Sequence, residues 1–267
     1  MTRGLRLTST ERAMLAGEAG AGVRRAMEII VALGNIYGAS DLVPVSSAQV
    51  SGVSYKNLGE AGLEFLQAWA AEGARVCIPT TLNPAGADLA AWRSLGFTEH
   101  FVQKQQAVIA AYVDLGAIPT CTCTPYLVGH VPEFGQHVAW AESSAVSYAN
   151  SVLGARTNRE GGPSALAAAV TGRTARYGLH IAENRRATTV VDVRCPVRSV
   201  ADSGALGFLV GRQVGRSVPL FRFRDRGLVA SLLRQLGAAM ASSGSVARYH
   251  VEGVTPEAQA ENVVAPD

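Results

Sequence analysis

Charge is scarce in this sequence of 267 residues: charged side chains make up 17% and the net charge is only +3. A polyanionic partner such as nucleic acid is therefore not expected. No apolar run is long enough to span a bilayer. The start carries no secretory h-region, since Arg3 and Arg6 lead into Thr8-Ser9-Thr10-Glu11. The expectation is a cytoplasmic protein without a membrane partner. The four cysteines, two of them in Cys121-Thr122-Cys123, do not form a secreted disulfide framework. Five scattered histidines lack the spacing of a zinc site. No G-x-G-x-x-G follows a strand, which argues against a dinucleotide binder. Internal repeats and low-complexity linkers are missing as well.

What is present is a globular composition, with 48% hydrophobic residues and 28 glycines. Thr8 and Glu11 have capping-box spacing, predicting a helix start. Val23, Ala26, Met27, Ile30 and Leu33 form one helical stripe, and Leu58, Gly62, Phe65, Leu66 and Trp69 outline another. Helices are also predicted over 107–115, 139–153, 200–214 and 228–241. Strands are predicted at 42–45, 75–79, 117–121, 188–193 and 246–251, with a loop from Thr80 to Pro84. This alternation indicates an α/β fold, mainly parallel sheet with flanking helices. Polar motifs fall where strands end, the place where such folds bind ligands. A weak composition shift near Asn184-Arg185-Arg186 is a candidate subdomain boundary, and 256–267 reads as a polar tail.

Several segments carry chemistry. In Pro119-Thr120-Cys121-Thr122-Cys123-Thr124-Pro125-Tyr126, two thiols one residue apart on an extended stretch point to opposite faces, so one can be a ligand while the other packs. A strand with two buried cysteines is the equal alternative. Cys77 and Cys195 read as core. Glu142 and Ser143, placed in the first turns of an apolar helix, are either dipole-favoured surface groups or functional ones. Arg156 and Arg159, with Asn158 and flanking glycines, suit a carboxylate or phosphate clamp, or else a solvated loop after a glycine cap. Ser51-Gly52-Val53-Ser54 and Asn83-Pro84 are ordinary turn chemistry when taken singly.

Taken in order, these segments resemble the aconitase X family. The resemblance is carried by Ser51-Gly52-Val53-Ser54-Tyr55, Thr80-Thr81-Leu82-Asn83-Pro84, Cys121-Thr122-Cys123-Thr124-Pro125-Tyr126 and Ala139-Trp140-Ala141-Glu142-Ser143-Ser144-Ala145. It continues through Gly154-Ala155-Arg156-Thr157-Asn158-Arg159-Glu160-Gly161 and Gly253-Val254-Thr255-Pro256-Glu257-Ala258. It implies an aconitase-like fold, with residues 1–255 as the N-terminal part of a catalytic domain. It also implies a hydro-lyase that uses iron, as an iron–sulfur cluster, to dehydrate a small hydroxy acid. Substrate contacts are implied for Gly52, Val53, Ser54, Asn83 and Pro84. Glu142 and Ser143 are implied at the reaction centre, with Cys123 as one iron ligand and Cys121 as the alternative. Arg156 and Arg159 join the substrate set on the clamp argument alone.

Members of the family continue into a Gly-Cys-Pro-His-type motif, a further cysteine and a lysine, which this sequence does not contain. A small swivelling-domain subunit is the implied partner, supplying a serine base. The iron ligand set within these residues is expected to be incomplete. Gln49 stands where a histidine is expected in many members. Of the two substrates acted on in the family, cis-3-hydroxy-L-proline is the expected one and mevalonate 5-phosphate the alternative. A non-catalytic binding or assembly protein is the third reading.

Overall fold

The structure is a computed structural model and describes residues 4–224 and 229–259. In chain order the elements begin α1 (Ser9–Ala16), α2 (Ala21–Ile36), β1 (Leu42–Pro44), β2 (Ala48–Val50), α3 (Tyr55–Ala71), β3 (Thr80–Leu82) and α4 (Glu99–Asp114). They continue with β4 (Ala139–Trp140), α5 (Ser143–Tyr148), α6 (Gly162–Thr171), β5 (Arg173–Ala175), β6 (Thr189–Val193) and α7 (Val200–Val214). Then come β7 (Pro219–Phe223), α8 (Ala230–Gly244) and β8 (His250–Val251). Two compact units result. One comprises Met1–Val128, Ala139–Ala141 and Glu160–Tyr177; the other comprises Gly129–Val138, Glu142–Arg159 and Gly178–Asp267.

In the first unit α1 opens on the expected capping box. Thr8 Oγ1 accepts from the Glu11 amide at 3.3 Å, and Glu11 Oε2 accepts from the Thr8 amide at 2.8 Å. The α2 stripe is buried at Ala26, Met27 and Ile30, and α3 buries Leu63, Leu66 and Trp69. Trp69 Nε1 donates to the Gly22 carbonyl at 2.8 Å, which ties α3 to the start of α2. A parallel sheet runs in the order β3-β2-β4, and a short antiparallel pair joins β1 to β5.

The second unit holds a parallel sheet in the order β6-β7-β8 over a core that includes Phe221, Leu236, Met240 and Tyr249. Helices α7 and α8 pack backbone to backbone. A Cβ on Gly207 would lie 2.5 Å from the Leu236 carbonyl oxygen, and one on Gly244 would collide with the Gly211 carbonyl. Of the expected tail, Pro256–Gln259 forms a 3-10 turn, while 260–267 lie outside the described residues. Residue 228, the expected start of α8, lies outside them too.

Several expectations are corrected. The strand expected at 75–79 falls instead at Thr80–Leu82, within the expected Thr80–Pro84 loop. Val76 and Cys77 spend their amides on the Leu115 and Ala169 carbonyls at helix ends, so no strand ladder forms there. The helix over 139–153 starts only at Ser143, because Ala139 and Trp140 are drawn into the sheet beside β2. Burial there outweighs the helix propensity of alanine. Helix α6 was not foreseen, since every residue from Ser164 to Thr171 is buried and no amphipathic period shows. Strand β7 was missed as well. Cys77 and Cys195 are exposed, not core.

Candidate functional site

Because β2 and β3 run parallel in register, Ala48 to Val50 against Thr80 to Leu82, their carboxyl ends open on the same edge of the sheet. That edge carries Gly52, Val53 and Ser54 after β2, and Asn83 and Pro84 after β3. The Asn83 amide donates to the Val50 carbonyl at 2.9 Å, locking the two ends together. Gly52 has φ +80°, a left-handed bend with open space around its Cα, so conformation and not crowding calls for glycine here. The Val53 side chain is 1% exposed and its carbonyl is taken by Gln105, which leaves its amide as the group it can present. Among the described residues, the amides of Gly52, Val53 and Ser54 donate to no protein group. These three successive amides directly precede the single helical turn Tyr55–Leu58, which Gly59 at φ +62° separates from the rest of α3. Asn83 Oδ1, just after β3, is buried with no hydrogen-bond partner among the described residues.

The Cys121–Pro125 segment runs along the other side of β3. Ile118 N–H donates to the Thr80 carbonyl at 2.8 Å, and Thr122 N–H donates to the Leu82 carbonyl at 3.0 Å. The stretch does not continue as a strand, since Cys121 takes φ +46°. Strand alternation therefore does not govern where the two thiols point, which corrects the sequence-based argument. Cys121 is half-buried, and burial pushes its thiol pKa up while the Ala85 amide opposes this. Cys123 is exposed. Gln49, fully buried on β2, donates to the Thr122 carbonyl at 3.3 Å. It thereby holds this segment to the sheet.

In the second unit Glu142 is not inside a helix but caps one. Its Oε2 accepts from the Ala145 amide at 2.8 Å and from Ser144 Oγ at 2.5 Å, while Ser143 Oγ donates to Oε1 at 3.3 Å. Partial burial lowers the Arg159 guanidinium pKa, and the charge of Glu142 works against it. Arg156 pairs its backbone with Gln136 and Val138, and its Nε is buried with no hydrogen-bond partner among the described residues. Asn158 is buried and turned inward, accepting from the Leu179 amide at 2.9 Å. It supports the loop and is not presented to a ligand.

A wide π turn at Ala149–Leu153 precedes that loop and frees the Asn150 carbonyl, which accepts from Arg185 and Arg248. Both arginines are almost fully buried and meet Glu257; burial and neighbouring guanidinium groups push their pKa values down. The Asn150 side chain binds Thr157 through both its amide and its carbonyl, which sets the position of 154–159. None of Gln105, Asn150 or Arg248 was singled out from sequence. Gln105 did leave a signal, because it interrupts the apolar period Val102, Val108, Ala111 on α4.

A model of the aconitase X first domain matches residues 4–183, and one of the aconitase X second domain matches residues 187–266. The chain belongs to the aconitase X family. It is 59% identical over 251 residues to a phosphomevalonate dehydratase large subunit from Methanothermobacter thermautotrophicus, and 54% identical to that from Thermococcus kodakarensis. Each match covers 94% of this chain and 62% of the relative. Against a cis-3-hydroxy-L-proline dehydratase from Pseudomonas aeruginosa the identity is 39%, over 96% of this chain and 44% of the relative. The crystal structure of Thermococcus kodakaraensis aconitase X in its holo form superposes with a TM-score of 0.90 at 51% identity, covering 98% of this chain and 65% of that one. The expected α/β, aconitase-like fold is therefore shown. The chain spans less than two thirds of the length of the phosphomevalonate dehydratase subunits it matches.

Among the described residues, no group of three or more His, Cys, Asp or Glu is placed to hold a metal ion. The Cys121–Cys123 stretch beside Asn83 can contribute a thiolate ligand. A complete cluster site does not fit the described residues alone.

Proposed function

We propose that this chain is the N-terminal part of an aconitase X catalytic subunit, over residues 1–255, that dehydrates mevalonate 5-phosphate. The identity pattern carries this reading: 59% and 54% to phosphomevalonate dehydratase large subunits against 39% to a cis-3-hydroxy-L-proline dehydratase. The geometry supports an anionic substrate. The amides of Gly52, Val53 and Ser54 receive a carboxylate or phosphate, and Asn83 hydrogen-bonds an adjacent hydroxyl, with Pro84 shaping the wall. Arg156 and Arg159 neutralise a second anionic group. Glu142, held by its cap hydrogen bonds, and Ser143 contact the reacting part of the substrate. Cys123, with Cys121 as the alternative, would supply one thiolate to an iron–sulfur cluster. Such a cluster would supply Lewis-acid chemistry if it were completed by further ligands. A small subunit is the proposed partner, in keeping with relatives named as large subunits.

The second reading, cis-3-hydroxy-L-proline as substrate, rests on the more distant match. The deciding experiment assembles this chain with a relative's C-terminal third and small subunit, anaerobically with iron and sulfide, and offers both substrates. Dehydration of mevalonate 5-phosphate supports the proposal; turnover of cis-3-hydroxy-L-proline alone supports the second reading. Correct assembly without either activity favours a non-catalytic role.

A further inference from the structure

We infer that Gln105 is the positioning residue that gives the anion-binding edge its shape. It lies on α4, distant in sequence from every residue assigned to substrate, and is fully buried. Its side chain nevertheless reaches both substrate loops. Oε1 accepts from the Tyr55 amide at 3.1 Å and from the Gly86 amide at 2.9 Å, and Nε2 donates to the Val53 carbonyl at 2.9 Å. One amide group thus clamps the segment after β2 to the segment after β3. With its carbonyl held by Gln105 and the following amide of Tyr55 held by the same side chain, the peptide planes around Val53 and Ser54 are set. The Ser54 amide, trans to the held Val53 carbonyl, is thereby turned away from Gln105.

Gly86 belongs to the same device. A Cβ there would run into Ser54 Oγ and come within 2.8 Å of Gln105 Oε1, so a larger residue has to displace these side chains and disturb the clamp. Asparagine is too short to span these loops, and an apolar residue leaves two part-buried donors and one buried acceptor without their partner. A carboxylic acid fits in one protonation state only. Its carbonyl oxygen accepts from both amides, but donation to the Val53 carbonyl requires the protonated hydroxyl.

This inference rests on the proposed substrate, and the test separates the two. Gln105→Glu, Gln105→Met and the wild-type chain are compared by amide hydrogen exchange and by calorimetric titration with mevalonate 5-phosphate across pH. In Gln105→Met, exchange should accelerate at Tyr55 and Gly86 while core amides such as that of Val108 stay protected. Affinity should fall by roughly 10–100-fold, as misplaced binding groups do. For Gln105→Glu, the ratio of variant to wild-type affinity should decline as pH rises through the titration of the introduced carboxyl, a dependence that lost packing alone would not produce. Should Gln105→Glu not fold, Gln105→Met with Gly86→Ala decides: both should loosen the same amides. Unchanged exchange at Tyr55 and Gly86 overturns the clamp, as does an affinity ratio flat with pH. A wild-type chain that ignores mevalonate 5-phosphate overturns the substrate reading instead, and the exchange pattern alone then decides the clamp.

Discussion

Glu160 sits 6% exposed, with its carboxyl held by Ser164 Oγ at 2.6 Å and Thr174 Oγ1 at 3.2 Å. Burial pushes its pKa up, and the two hydroxyls oppose this without cancelling it. A raised acid stabilises the fold below its unfolded value and loses that contribution as pH rises through its folded value. Glu160→Gln removes the penalty and keeps an acceptor. Its stability advantage over wild type should grow with pH, by at most about 1.4 kcal/mol per unit, in urea unfolding between about pH 5 and pH 8. His180 has the opposite sign. Burial first, then His137 and nearby arginines, push it down to about 3, and its Nδ1 lies 2.8 Å from that of His137. The unfolded chain takes up the proton first, so stability present above the ordinary histidine range is lost as pH falls towards 3. His180→Gln should flatten the acid limb of a stability–pH curve; an unaltered limb would refute the assignment.

At the scale of elements, the α7–α8 pair depends on missing side chains. Gly207 faces the Leu236 carbonyl and Gly211 faces Met240 at distances no Cβ tolerates. Gly207→Ala should destabilise the second unit by about 1–3 kcal/mol, although alanine favours helix, because the overpacking exceeds the propensity gain. Thermal unfolding monitored by a probe in that unit checks it. Glu142 combines two duties as the cap of α5 and a proposed substrate contact. Glu142→Ala should lower stability by about 1 kcal/mol. Glu142→Asp, a good cap with a shorter reach, should restore stability but not substrate affinity, and rescue of both would argue against a substrate role.

For the molecule as a whole, the deciding fact is the length of its relatives, of which this chain covers 62%. One cysteine stretch cannot close a cluster, so the chain reconstituted by itself is expected to hold less than one cluster per chain, by iron and sulfide analysis. Adding a relative's C-terminal third should raise iron retention, and Cys123→Ser should lower it again. Large apolar side chains also stand exposed, among them Leu127 and Val128 in the first unit and Phe208 and Leu209 in the second. Such surface is normal in part but favours association when contiguous.

Local rules made much of this protein legible. The capping box at Thr8 and Glu11, the α2 and α3 stripes, and α7 from Val200 to Val214 follow from spacing, since each is decided by neighbours within a few residues. The polar segments at strand ends were likewise visible as sequence, and their order marked the family. Tertiary structure decided the rest. It moved the strand to Thr80–Leu82 and drew Ala139 and Trp140 out of a helix, because burial between neighbouring strands outweighs propensity. It hid α6 inside the first unit, where a helix buried on all sides has no amphipathic period to read. It placed Gln105, 50 residues from Tyr55 and 19 from Gly86 in sequence, within hydrogen-bond reach of both. A polar side chain fully removed from water must find partners wherever the fold supplies them, and sequence separation carries no trace of where that is.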